Sequence, residues 1–302
     1  MNQKLEDILN LALETPEEQR QQTETLNVGF DNEQRTWELL VKYHGSLEVL
    51  ETIGVTVEYL IAGYAILTVP EGLVDTVAEL EQIEYVEKPK RFFYSQVSPT
   101  GGRCFPPITM RTPFLTGEGV LLAVLDSGID WTRRDFRKEN GETRILYLWD
   151  QTLVAKSNEL AEVQREGERD ESMPQLRSER PPEGFSQGVE FDSGQINAAL
   201  AAAVDSEAEG FALVPSRDVS GHGTAVAGIA AGYDPETGYR GAAPECSLLI
   251  VKLGNPGELG FPRTTEIMRG VTYALEKANE LQMPLVINLS FGNSYGSHEP
   301  CN

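Results

Sequence analysis

Apolar and polar positions fall into a regular pattern from Trp37 onward. The stretch "WELLVKYHG" alternates as a strand does, "SLEVLETI" has helical spacing, and "GVTVEYLIAGYAILTVP" holds two β-rich runs with a turn at Ala62-Gly63. Helical spacing returns in "EGLVDTVAELEQ", whose start is marked by Pro70 and Glu71, and "IEYVEK" reads as a last strand. The order β-α-β-β-α-β describes a small ferredoxin-like α+β unit over residues 37–96. His44, beside Gly45, falls in a surface loop of that unit. Ahead of it, residues 1–36 are polar and acidic with one weak amphipathic helix near Leu5 to Leu13, and read as a solvated leader. Behind it, turn formers accumulate in "FFYSQVSPTGGRCFPP", the expected domain boundary.

The remaining residues, 97–302, carry a different pattern. Val120 to Leu125 form an apolar run that fits a strand buried on both faces, as in parallel sheets, and Asp126 stands at its carboxyl end, where open α/β sheets place ligands and reacting groups. "CSLLIVK" is a second such strand, and "LVINLSFGN" a third. Between them "TTEIMRGVTYALEKANELQ" puts Ile267, Val271, Ala274, Leu275, Ala278 and Leu281 on one face of a core-facing helix that Pro284 stops. Strands alternating with helices predict a doubly wound parallel α/β sheet. The stretch from about 150 to 215 is acidic, contains prolines and has low β character, apart from a helical piece "SGQINAALAAAV"; it reads as a partly flexible insertion at the sheet's edge.

Composition narrows the function classes. The chain has 302 residues, 40% of them hydrophobic, enough for one large domain and a smaller one. With 47 acidic against 25 basic residues, the net charge of −22 repels phosphate backbones and anionic lipid, so neither nucleic acid nor a membrane is an expected partner. "MNQKLEDILNLALETPEEQRQQ" lacks an uninterrupted apolar core and reads as neither signal peptide nor membrane span. Cys104, Cys246 and Cys301 are scattered without CxxC pairing, which speaks for free thiols rather than a disulfide framework or a zinc site.

Candidate chemistry concentrates in "DVSGHGTAVAGIAAG", from Asp218 to Gly232. His222 opens a small-residue helix, where the positive end of the helix dipole favours the neutral imidazole, a base. Gly221 and Gly223 permit a tight turn and leave the imidazole accessible. The glycines are spaced G-x-G-x-x-x-x-G and follow no strand, so a dinucleotide fingerprint fails; no Gly-Lys-Ser/Thr makes a P-loop, and no second ligand at i+3 or i+4 supports a metal. On these residues alone, a general base and a capping histidine both remain open.

In combination, "VLLAVLDSGID" upstream of "SGHGTAVAGIAAG" resembles the aspartate and histidine motifs of subtilisin-like serine proteases, in that family's order. "GYRGAAPECSLLIVKL" and "VINLSFG" are similar to the family's next strand and its substrate-binding strand, so the resemblance covers roughly residues 97 to 293. The "WDQT…PPEGF" pattern, with "FDSGQINAAL" and "VPSRDVSGHGT", further resembles the clostridial Csp germination proteases and their relatives, bacterial proteins for which a cytoplasmic or spore-associated location is implied.

The resemblance implies a subtilisin-like sheet, incomplete at the C-terminus, preceded by a ferredoxin-like propeptide domain. Asp126 would orient His222, the general base, and Ser290, Phe291 and Gly292 would pair with an extended polypeptide substrate. The plainer alternatives are a turn-capping aspartate and the end of a buried strand. The chain's own propeptide would lay "RFFYSQ" in the cleft, with autoprocessing between Gln96 and Val97. Asp135 and "YDPETGY" lie where some members bind calcium, but the ligand set is thin and no cofactor or metal is expected. No Gly-Thr-Ser nucleophile motif follows His222, so the expected triad is incomplete within these residues. A longer product, a second chain carrying the serine segment, and a non-catalytic pseudoprotease or peptide-binding regulator are the three readings.

Overall fold

A computed structural model of the chain describes residues 2–94, 115–155, 180–255 and 262–292. The chain divides into two compact units, Met1–Phe92 with Pro262–Thr272, and Phe93–Phe261 with Tyr273–Asn302.

In the first unit the elements are α1 (Asp7–Glu14), α2 (Glu17–Gln21), α3 (Glu24–Asn27), β1 (Phe30–Asp31), β2 (Thr36–Tyr43), α4 (Glu48–Thr52), β3 (Thr56–Tyr59), β4 (Tyr64–Pro70), α5 (Val74–Glu79) and β5 (Ile83–Glu87). β2 lies between β4 on one side and β1 and β5 on the other, while β3 pairs with β4, all antiparallel. The lateral order β5-β2-β4-β3 is that of a ferredoxin-like sheet, as the alternation of segments predicts. At the β3 to β4 turn both Ala62 and Gly63 are left-handed, and a Cβ at Gly63 would come within 2.9 Å of the Tyr43 carbonyl oxygen. Period-two alternation in β2 buries Trp37, Leu39 and Val41 against Leu67 and Val69 of β4, and α5 closes that face with Val74, Val77 and Ala78.

The solvated leader expected for residues 1–36 is not what forms. Leu5, Leu9 and Ala12 are completely or almost completely buried in the same core, and Leu5 makes a parallel bridge to Val86. Leu9 and Ala12, three apart on α1, share one helical face, and Leu5 joins them from just ahead of the helix, a small apolar set that a polar average over 36 residues conceals. Arg20 is 2% exposed, lies 4.2 Å from the Phe30 ring centroid, and pairs with Glu71 at 3.1 Å, which compensates its buried charge.

The second unit runs β6 (Phe93–Tyr94), β7 (Leu121–Asp126), β8 (Ile145–Asp150), β9 (Val189–Asp192), α6 (Ser193–Asp205), α7 (Glu207–Leu213), α8 (His222–Ala231), β10 (Tyr233–Asp234), β11 (Tyr239–Arg240), β12 (Ser247–Lys252), α9 (Thr264–Leu281), β13 (Leu285–Leu289) and β14 (Phe291–Gly292), with the start of α9 belonging to the first unit. Its main sheet has the order β13-β7-β12-β8-β9. The first four strands are parallel, and β9 runs antiparallel to β8. β7 is buried along its whole length, as its apolar run requires.

Three further expectations change. The stretch read as having low β character contains β9, and Asp192 and Gln195 form a reciprocal capping box that starts α6; residues 156–179 of that stretch lie outside the described residues. On α9, Ala274 and Ala278 are buried but Leu275 is 39% exposed. Also buried on this helix are Thr265, Glu266 and Arg269, in the part that belongs to the first unit, and Tyr273 in the part that belongs to the second. Among the described residues β13 pairs with β7 alone, so it is an edge strand with Val286 and Leu289 about half exposed rather than a strand covered on both faces.

Inside the first unit a buried ionic cluster forms where helical stripes would predict apolar contact. Arg269 reaches Glu38 at 2.7 Å and Glu58 at 2.6 Å, and Arg263 reaches Glu266 at 2.9 Å. Burial works against the Glu38 charge, but the two guanidiniums hold its carboxyl below the usual range.

Candidate active site

The site begins where β7 ends. Asp126 is its last residue and is fully buried, and the chain turns directly afterwards through Ser127 and Gly128, the latter at φ +117°. α8 starts at His222, preceded by left-handed Gly221 at φ +71°. A Cβ on Gly223 would run into the carbonyl oxygen of Gly128 and lie 3.1 Å from Asp126 Cβ. Only glycine therefore lets the first turn of α8 rest on the end of β7, and that approach brings the two side chains together.

His222 Nδ1 lies 2.6 Å from Asp126 Oδ1. A carboxylate accepts, so Nδ1 carries the proton and Nε2 is the basic nitrogen. The His222 side chain is 12% exposed. Desolvation lifts the Asp126 carboxyl above its ordinary value, opposed by the His222 hydrogen bond and by the Ser127 backbone N–H at 2.7 Å. The arrangement is a buried carboxylate that orients an imidazole and can stabilise its protonated form.

Asp218 is a residue that sequence reasoning passed over. Its Oδ1 accepts from Ser127 Oγ at 2.8 Å and from the Gly221 backbone N–H at 3.0 Å; its Oδ2 accepts from the Thr224 N–H at 2.8 Å and the Thr224 hydroxyl at 2.7 Å. Burial works against this charge, yet the Thr224, Ser127 and Gly221 donors hold the carboxyl below its ordinary range. The available signal was an aspartate just ahead of a helix whose own cap position is glycine. Lys252, the last residue of β12 and the register partner of Asp126, was missed too. Its Nζ is 3.1 Å from buried Asp150, and its stem would meet a Cβ on Gly128 at 3.1 Å.

Ser290, Phe291 and Gly292 follow the end of β13. Leu289 pairs with Leu125, the residue before Asp126, and the chain continues through Ser290 into β14. Ser290 Oγ donates to Asn288 Oδ1 at 2.8 Å. β14 pairs antiparallel with β6, Phe291 opposite Tyr94 and Gly292 opposite Phe93. Gln96 and Val97 lie outside the described residues. At the positions considered for calcium, Asp135 is engaged by Arg133 at 2.6 Å, and Asp234 accepts from Glu236 N and the Thr237 hydroxyl. Among the described residues no group of three or more His, Cys, Asp or Glu side chains is placed to hold a metal ion.

A carboxylate and an imidazole thus meet at the carboxyl edge of a largely parallel α/β sheet. The chain belongs to the subtilase family, whose model matches residues 117–301, and the Csp protease B prodomain model matches residues 3–90. It is 43% identical over 75 residues to the major intracellular serine protease of Bacillus subtilis, covering 25% of this chain and 22% of that protein. It is 38% identical over 76 residues to an intracellular serine protease of Paenibacillus polymyxa, covering 25% and 21%. Similarity to subtilisin DY of Bacillus licheniformis is 38% over 80 residues, covering 26% and 27%. Each match thus spans about a quarter of the relative's length. Among solved structures, the Clostridium perfringens CspB protease aligns with TM-score 0.47 and 34% identity, covering 64% of this chain and 32% of that one. Fervidolysin from Fervidobacterium pennivorans aligns with TM-score 0.45 and 18% identity, covering 86% and 36%.

Proposed function

We propose that this chain is the prodomain and the aspartate- and histidine-bearing part of a serine endopeptidase that hydrolyses peptide bonds. The observation that carries the reading is the 2.6 Å contact between Asp126 and His222. In the proposed reaction His222 Nε2 takes the proton of a serine hydroxyl as that oxygen attacks the substrate carbonyl, then gives it to the leaving amine. Asp126 stabilises the imidazolium in between. The serine belongs to a segment beyond these residues, on the same product or on a second chain.

The test is fluorophosphonate labelling of the gene's whole product. Labelling at a serine outside residues 1–302, and its loss in His222→Ala, are the expected results. Labelling of the isolated 302-residue chain, or a labelled His222→Ala, overturns the assignment of roles. Absence of labelling from the whole product favours the second reading, a pseudoprotease or peptide-binding regulator. That reading draws on the pairing of β14 with the extended Phe93–Tyr94 segment, which needs no nucleophile.

The same pairing supports the propeptide as an occupant of its own cleft, with processing at Gln96–Val97. N-terminal sequencing of purified whole product is expected to find a Val97 start; Met1 alone overturns it. The names of two relatives support work inside the cell. A spore location is the finer proposal, tested by fractionation.

A further inference from the structure

We infer that Asp218, acting through Ser127, is a positioning residue that holds His222 against Asp126; the inference rests on the proposed role of that pair. α8 is a ten-residue helix whose cap residue, Gly221, has no side chain to satisfy the first N–H groups. Asp218 does so from further back in the chain, accepting from the backbone of Gly221 and Thr224 and from the Thr224 hydroxyl. A carboxylate there is also favoured by the helix dipole.

A capping role would end with those contacts, and Asp218 makes others. Its Oδ1 accepts the Ser127 hydroxyl at 2.8 Å, while Ser127 Oγ in turn accepts the Gly223 N–H at 2.9 Å. Ser127 is bonded to Asp126, and Gly223 to His222. One carboxylate and one hydroxyl therefore tie together the two backbone segments that carry the pair, each one residue from its functional group. Ser220 Oγ, 2.8 Å from Ser127 Oγ and 3.2 Å from the Asp218 carboxylate, closes the ring and accepts the His222 backbone N–H at 3.2 Å. Loss of the Asp218 charge leaves the donors of Ser127, Gly221 and Thr224 to find other acceptors, and the two segments are free to shift relative to each other. Placement matters on this scale, since displacements of about 1 Å at such groups can cost on the order of 100-fold in rate.

The test reads the contact itself, without relying on catalysis. A proton shared in a short imidazole–carboxylate hydrogen bond is strongly deshielded and slow to exchange, so the 302-residue chain is expected to show a far-downfield imidazole proton that disappears in His222→Ala. Asp218→Ala is expected to lose or broaden that signal in a chain that remains folded by circular dichroism. Ser127→Ala, which keeps the helix cap, is expected to broaden it as well. A downfield proton unchanged in Ser127→Ala, and in any folded Asp218→Ala, overturns the inference and leaves the proposed reaction standing. A signal that depends on Asp218 in a protein whose whole product takes no fluorophosphonate sustains the inference and removes the enzyme reading.

Discussion

Asp126 and Asp218 stand near each other and carry opposite electrostatic histories. Burial lifts the Asp126 carboxyl, so its charged form is the less favourable one in the fold. The stability it contributes is complete below the unfolded carboxylate range and falls away as pH rises through the raised folded value. For Asp218 the carboxyl is lowered, so its stabilisation is present above the unfolded value and is lost as pH falls through the folded one. Asp126→Asn is therefore expected to melt at or above the wild-type temperature at pH 7, whereas Asp218→Asn melts below it. Both differences should shrink in acid. Thermal melts across pH check this, and shifts of the same sign at pH 7 would contradict it. Glycines in α8 offer a second comparison. In a helix interior alanine is worth about 1 kcal/mol over glycine. Gly228, where a Cβ meets nothing within 4 Å, should follow that rule when replaced by alanine. Gly223→Ala should instead destabilise by roughly 1–3 kcal/mol, because the obstructing Gly128 carbonyl is backbone and cannot swing aside. Denaturant titration of the two variants decides it.

At the scale of elements, period was the readable signal and burial the misleading one. The alternation of β2 and the apolar run of β7 located both sheets, and Leu121–Asp126 formed as a strand with its aspartate at the carboxyl edge. α1 was assigned to solvent because its surroundings are acidic. The residues that decide its fate, Leu9 and Ala12 with Leu5 just ahead of the helix, form a narrow apolar set that needs a partner surface to become meaningful. Leu9→Ala is expected to destabilise the first unit by about 2–5 kcal/mol, the range for emptying a buried leucine site, with urea unfolding as the measurement. A solvated arm would show almost no change. α9 erred in the other direction, since a stripe drawn through Leu275 missed the inward-facing Glu266 and Arg269. Charged residues are read as outward until their partners, here Glu38 and Glu58 from distant strands, are known.

For the molecule as a whole, the excess of acidic residues acts as a field. A net charge of −22 on 302 residues repels itself in the folded state more than in the expanded one, so added salt should raise the melting temperature. Most of the gain is expected by about 0.1 M, where the screening length has shortened to ~10 Å. A melting temperature that falls as sodium chloride is added would show that specific ion pairs such as Arg35–Glu17 outweigh the general repulsion.

Sequence alone determined the parallel α/β class and the ferredoxin-like order of the first unit, and two short motifs singled out Asp126 and His222 as candidates. Each of these is written in local periodicity or in a short motif. Only the tertiary structure decided that Leu5 to Ala12 belong to a core, that Asp218 and Ser127 tie the site together, and that β14 takes Phe93–Tyr94 as its strand partner. These depend on groups far apart in the chain: Ser127 and Asp218 are 91 positions apart, and a hydrogen bond across that interval leaves no trace in spacing. Local patterns dictate what a segment becomes; its partners are set by packing, where the whole chain competes for the same surfaces.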